Sequence, residues 1–147
     1  MPGGLTFSVD DRQARELFKK LLEAGHGADV TRPLAEAMLS DTLDTFEAQG
    51  RPEKWKPLSP ATLLRTGPHA ILQQTGSHLR DRITPGWSDS EASIGVQWVA
   101  AAIHQFGGKA GRGKKVNIPA RPYLVETETM IAELVATMEE VLGRAAQ

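Results

Sequence analysis

The chain has 147 residues, with 17 Lys/Arg, 18 Asp/Glu and no cysteine, a length that one domain accounts for. The missing thiol excludes disulfides, thiolate metal sites and cysteine nucleophiles, and three Trp, one Tyr and four Phe leave the core to Leu, Ile, Val, Met and Ala. The first ten residues carry neither the basic nor the apolar region of a signal peptide and no apolar run is as long as a membrane span, so secretion and membrane insertion are not expected.

The net charge of −1 hides a division along the chain. Residues 1–50 hold five Lys/Arg against nine Asp/Glu, residues 51–124 hold eleven against four, and residues 125–147 hold one against five. An acidic–basic–acidic chain can present oppositely charged faces for self-association or for contact with DNA.

In chain order, Leu5 to Val9 alternates apolar and polar like a half-buried strand. Asp10 with Gln13 reads as a capping box, and Ala14, Leu17, Phe18, Leu21 and Leu22 form one helical face before Gly25 and Gly27 stop it. A second helix is predicted from a Thr31 cap, with Pro33 in its first turn, a stripe of Ala35, Met38, Leu39, Thr42 and Phe46, and Gly50 at its end. Four prolines make 51–69 a connector, with Ser59-Pro60 as cap and first position of one short helical turn. Thr75 or Ser77 is placed to cap a further short helix that sets Leu79 and Ile83 on one side.

Ile83, Pro85 and Trp87 alternate, a turn follows at 88–91, and Ala92, Ile94, Val96 and Trp98 alternate again, which predicts a hairpin with both Trp87 and Trp98 in the core phase. Trp98 to Phe106 reads as a helix closed by Gly107-Gly108, and 107–115 as a flexible basic loop. Pro119 and Pro122 keep 116–123 extended, and a last helix starts near Thr127 with a stripe of Ile131, Leu134, Val135, Met138 and Leu142. The expected fold is α+β: a single domain over 1–147, with a small antiparallel sheet packed against three main helices and a short fourth.

Few residues point to chemistry. Gly108 to Lys115 has the spacing of a phosphate-binding loop, but it follows a helix, leads into an extended segment, and has Lys115 where a magnesium-binding hydroxyl belongs. His26, His69, His78 and His104 share no ligand spacing and read as surface or hydrogen-bonded imidazoles, so no metal or cofactor is expected. Asp41 with Asp44, and Glu126 with Glu128, are helical acidic pairs expected to face solvent. Lys109, Arg112, Lys114 and Lys115 suit phosphate contacts or a solvated loop equally.

Four pieces taken together resemble the phage virion morphogenesis family of Mu-like phages: Trp55-Lys-Pro-Leu-Ser-Pro-Ala-Thr62, Ile71-Leu-x-x-Thr75-Gly76-x-x-Leu79, Ile103-His104-Gln-Phe106-Gly107-Gly108, and Ile118-Pro119-Ala120-Arg121-Pro122-Tyr-Leu124 before a terminal helix. They span residues 46–142. The resemblance implies a non-enzymatic structural protein of the virion neck or tail, made in the host cytoplasm, that acts in tail completion or head–tail joining. It implies a ring, hexameric by family likeness, with neck or tail-tube proteins as neighbours and DNA passing through the lumen.

Arg121 stands on a stiff strut where its guanidinium is positioned to pair with a carboxylate of the last helix or of a neighbour. The expected ring contact therefore sets Arg121, Lys109, Arg112, Lys114 and Lys115 against Glu126, Glu133 and Glu140. Two alternatives stand beside this reading. A nucleic-acid-binding module would bind DNA as a monomer with strong salt dependence, and a hydrolase of unspecified type would need a polar pocket with shifted pKa values.

Overall fold

The computed structural model describes residues 12–73 and 79–147. The strand expected over 5–9, the Asp10 cap and the Thr75, Gly76, Ser77 and His78 turn lie outside the described residues.

Helix α1 (Arg12–Ala24) is followed after a three-residue break by α2 (Ala28–Glu47), the central element, which touches α5 and both strands of the first hairpin. The sequence places the start of α2 too late. Gly27 is its N-cap, at φ 100°, and its N–H donates to Asp89 O at 2.6 Å. Thr31 is inside the helix and buried, and its hydroxyl reaches Ser88 O at 2.6 Å. The break between α1 and α2 is thus pinned to the tip of a hairpin more than fifty residues later, a tie no local capping rule can foresee. Pro33 consequently lies in the helix interior.

The buried face of α2 is polar for a core helix: Val30, Ala35 and Phe46 alternate with Thr31, Asp41, Thr42 and Thr45. The Thr42 and Thr45 hydroxyls donate to the carbonyls of Met38 and Asp41 one turn back, so each hydroxyl proton finds its acceptor within the helix. At the end of α2, Gly50 stands at φ 111°, and a Cβ there would lie 2.5 Å from Trp55 N and 2.6 Å from Glu53 O. Only glycine fits, and the turn it permits swings Trp55 back under Phe46, ring centroids 5.3 Å apart and edge to face.

Helix α3 (Pro60–Thr66) begins as the sequence predicts, with Ser59 Oγ accepting from Thr62 N and Pro60 in the first turn. A 3-10 turn (Arg80–Arg82) then leads into β1 (Ile83–Trp87), which pairs antiparallel with β2 (Ala92–Val96) in the register Ile83↔Val96, Pro85↔Ile94 and Trp87↔Ala92. Leu79 and Ile83 are both buried, although they bracket a 3-10 turn instead of sharing one α-helix. Trp87 departs from its core assignment. It is 45% exposed at the turn end of the hairpin, with the Arg32 guanidinium 5.5 Å from its ring centre.

Helix α4 (Ala101–Phe106) starts three residues later than its Ala-rich sequence predicts and stops at Gly107, φ 72°. The segment read as a flexible basic loop folds largely into a second hairpin. Strand β3 (Gly108–Ala110) pairs antiparallel with β4 (Val116–Ile118), joined through a 3-10 turn over Arg112–Lys114. Positive φ at Gly111 and Gly113 lets the chain reverse there, so the glycines serve turn geometry. Helix α5 (Glu128–Ala145) closes the chain, with Thr127 Oγ1 accepting from Met130 N as its cap.

The fold is α+β, with two separate two-stranded antiparallel sheets in place of one small sheet, and five helices among the described residues. The core gathers Phe46, Trp55, Leu79, Ile83, Ala101 and Tyr123, with Leu39, Ile94, Val96 and Trp98 packed against it. No helix of the described residues is long and apolar enough to cross a membrane.

Candidate functional site

Two of the sequence pieces fold into one clasp. The strut 118–124 runs past α4, and Gln105 holds it: its carbonyl oxygen accepts from Tyr123 N and Leu124 N at 3.0 Å each, and its amide donates to Leu124 O at 2.9 Å. Arg121 N donates to His104 O, Tyr123 OH donates to Ala101 O, and Trp55 Nε1 donates to Pro122 O at 2.7 Å. Gly107 is needed where the two pieces meet, because a Cβ there would lie 2.7 Å from Ala120 N. Pro119 and Pro122 keep the strut extended without asking for ladder partners. Gln105 carries the clasp, and sequence reasoning missed it, although it sits between His104 and Phe106.

Arg121 is the main correction. Its side chain is not offered to a neighbour: the residue is 7% exposed, and Nε and one terminal nitrogen donate to the carbonyls of Lys56 and Pro57 at 3.0 and 3.1 Å. A proline-rich connector leaves carbonyls without strand partners, and the planar guanidinium fork satisfies two of them at once. Arg121 is an internal brace, and among the described residues no carboxylate of the last helix pairs with it.

His104 is also neither a surface nor a fully hydrogen-bonded imidazole. Its Nδ1 is buried with no partner, and its ring stacks on Trp98 at 5.8 Å and 19°. Burial, and secondly the charge of Arg121, push its pKa below the ordinary 6.5, so the ring is neutral at pH 7.

A third arrangement overturns the solvent-facing reading of Asp41. The residue is 1% exposed, with Arg51 at 3.0 Å from Oδ1 and the Thr127 hydroxyl at 2.9 and 2.8 Å from the two oxygens. Asp44 is exposed as expected, as are Glu126 and Glu128. Because Asp41 is committed to a cation and a hydroxyl while Asp44 faces water, the two carboxylates do not form an acid–base pair. No cluster of three or more metal-ligating side chains occurs among the described residues.

The remaining candidates divide between core and surface. Trp55 and Leu79 are buried, whereas Phe106 is exposed. Lys109, Arg112, Lys114 and Lys115 are all exposed on the β3–β4 hairpin, and Glu126, Glu133 and Glu140 are exposed at or along α5. Glu140 is 3.8 Å from Arg144 on the next turn. The hairpin offers no strand-to-helix phosphate loop, because β4 follows its turn.

Comparison with known proteins adds a family. The model of the phage virion morphogenesis family matches residues 9–143. The chain is 39% identical over 136 residues to the Mu-like prophage FluMu G protein 2 of Haemophilus influenzae, covering 90% of this chain and 93% of that protein. It is 30% identical over 129 residues to the putative capsid assembly protein G of Escherichia phage Mu, covering 82% of each. No solved structure matches the chain.

Proposed function

The chain belongs to the phage virion morphogenesis family, and from that premise we propose that it is a structural subunit of the virion neck, acting in tail completion or head–tail joining as one copy in a closed ring. The observation that carries this reading is where the family pieces go. Gln105, Gly107, Arg121, Tyr123 and Trp55 hold one another inside the fold and leave the cationic hairpin and the acidic α5 to the surface. A set of residues used mainly for bracing suits a building block of the particle. The relative in phage Mu is described as a putative capsid assembly protein, which is in keeping with a role in building the particle.

In this reading the neighbours are further copies of the chain and neck or tail-tube proteins, with DNA passing through the lumen. Deleting the gene is expected to leave filled heads and separate tails in the lysate, seen by electron microscopy, with infectivity lost. Normal complete virions without the protein would refute the role. A nucleic-acid-binding reading has one observation in its favour, four exposed cations on a two-stranded ribbon, a shape that a DNA groove admits. It requires tight DNA binding by the isolated monomer that falls steeply with salt.

A further inference from the structure

Two clefts of the described residues share no lining residue and carry opposite charge. The first, about 300 Å³, lies between the 57–59 connector, α3, α4 and β4, and its ionisable lining is Arg65, His69, His104 and Arg121, with no carboxylate. The second is a groove where α5 meets α2 and β2. Its two lobes share Met38 and Leu134, the larger is about 550 Å³, and its ionisable lining is Glu126 and Glu139, with no cation.

Both clefts expose apolar side chains. Val116 lines the first and is half-exposed, and α3, which forms one wall, buries no residue of its own and carries exposed Leu63 and Leu64. Ile131 and Val135 line the second and are likewise about half-exposed. Apolar side chains inside a charged rim are the makeup of a protein–protein contact. The charge bias extends past the clefts. The sequence has no Asp or Glu from 92 to 125, the stretch that supplies the hairpin, while 126–147 holds five Glu against the single Arg144.

We propose that the acidic, apolar face of α5 in one copy docks into the cationic cleft between α3 and the β3–β4 hairpin of the next. Two copies of either patch would repel each other, so like-to-like pairing is disfavoured and the contact is heterologous, the kind that generates a ring when its rotation closes. DNA would satisfy the hairpin cations but would leave Val116, Ile131 and Val135 uncovered. The inference rests on the reading of the chain as a repeated subunit and names the surfaces that reading lacks. It replaces Arg121, which is internal, with the exposed Arg65 and the hairpin.

The absence of native cysteine gives a clean test. Lys115→Cys and Glu139→Cys, both at exposed positions and the second on the groove itself, are made singly and together, and a flexible bis-maleimide is applied to the purified protein and to assembled particles. Each single variant is expected to give no cross-linked dimer, their equal mixture dimers and nothing larger, and the double variant a ladder ending at the ring number. A dimer from either single variant alone overturns the proposal, because it shows like-to-like contact. So does a double variant that assembles into infectious particles without an inter-copy product. If an amine-reactive reagent still links copies in those particles, the ring reading stands and only the surfaces are wrong, whereas particles that hold no linked copies refute the ring itself. Protection of the thiol in the Lys115→Cys variant by duplex DNA, with none in DNA-free assembled copies, assigns the hairpin to nucleic acid and overturns the proposal as well.

Discussion

Thr127 caps α5 and, with the same hydroxyl, donates to both carboxylate oxygens of Asp41, 86 residues earlier in the chain. Arg51 closes the arrangement from the end of α2, reaching Oδ1 of Asp41 and the Thr45 hydroxyl. Three elements therefore meet on one buried carboxylate. The start of α5 is positioned by that carboxylate as well as by the packing of its apolar stripe.

Removing the carboxylate should cost more than removing the hydroxyl. Asp41→Ala strands Arg51 against the core, a loss of about 3 kcal/mol, at the low end for breaking a buried pair because Arg51 keeps some contact with water. Thr127→Ala removes a cap and a hydrogen bond to a charged group, together about 2 kcal/mol, and Thr127→Ser should restore most of it. Urea denaturation of the three variants checks the order. Equal stability of Asp41→Ala and wild type would mean that the cluster contributes nothing net.

The brace at Arg121 makes a different demand. Arg121→Glu places a carboxylate beside the Lys56 and Pro57 carbonyls and should lower stability by about 3 kcal/mol or more, enough to unfold a marginal domain. Arg121→Lys keeps the charge and loses the two-pronged geometry, so it should fall between. A thermal melt decides the matter. Undiminished stability of Arg121→Glu, with assembly lost, would return the residue to the interface.

Gly67 and Gly107 allow packing to be separated from backbone strain. Both end short helices at φ 72° with ψ near 180°, but a Cβ on Gly67 meets nothing within 4 Å, whereas one on Gly107 lies 2.7 Å from Ala120 N. Each alanine substitution should carry the strain of a region reserved almost wholly for glycine, about 1–3 kcal/mol, and only Gly107→Ala should also force the strut off α4. Denaturation midpoints that shift equally would show that the clasp gives way freely.

Much of this fold is legible in the sequence where the cause is local. Ser59-Pro60 and Thr127 announce helix starts by chemistry within three residues, and the alternation from Ile83 to Val96 announces a hairpin. The misses have remote causes. Asp41 looks like a solvent-facing residue until Arg51 and Thr127 arrive around it, and Thr31 looks like a cap until Ser88 takes its hydroxyl. Arg121 is legible as a residue held on a stiff strut, but the carbonyls waiting for it belong to a connector 64 and 65 residues away. The surface charges are legible individually. Their sorting into two separate clefts is not, because the cationic one is assembled from the connector, α3, α4 and β4 together.

The last prediction concerns pH and His104. Its folded pKa lies below the ordinary 6.5, first because the ring is buried and then because Arg121 is near. The unfolded chain therefore takes up a proton near 6.5 while the folded chain still refuses it. The stabilisation is fully present above that value and declines as pH falls from there through the folded pKa. Below the folded pKa both states are protonated and no further loss comes from this group. His104→Gln has nothing to titrate at this position, so the gap between wild type and variant should narrow on going from about pH 7.5 to about pH 5. Chemical denaturation of both proteins at the two pH values isolates the effect from the other histidines and the carboxylates, which are common to both. A gap that stays constant would mean that the ring gains a compensating partner on protonation, and that burial and Arg121 do not disfavour the charge.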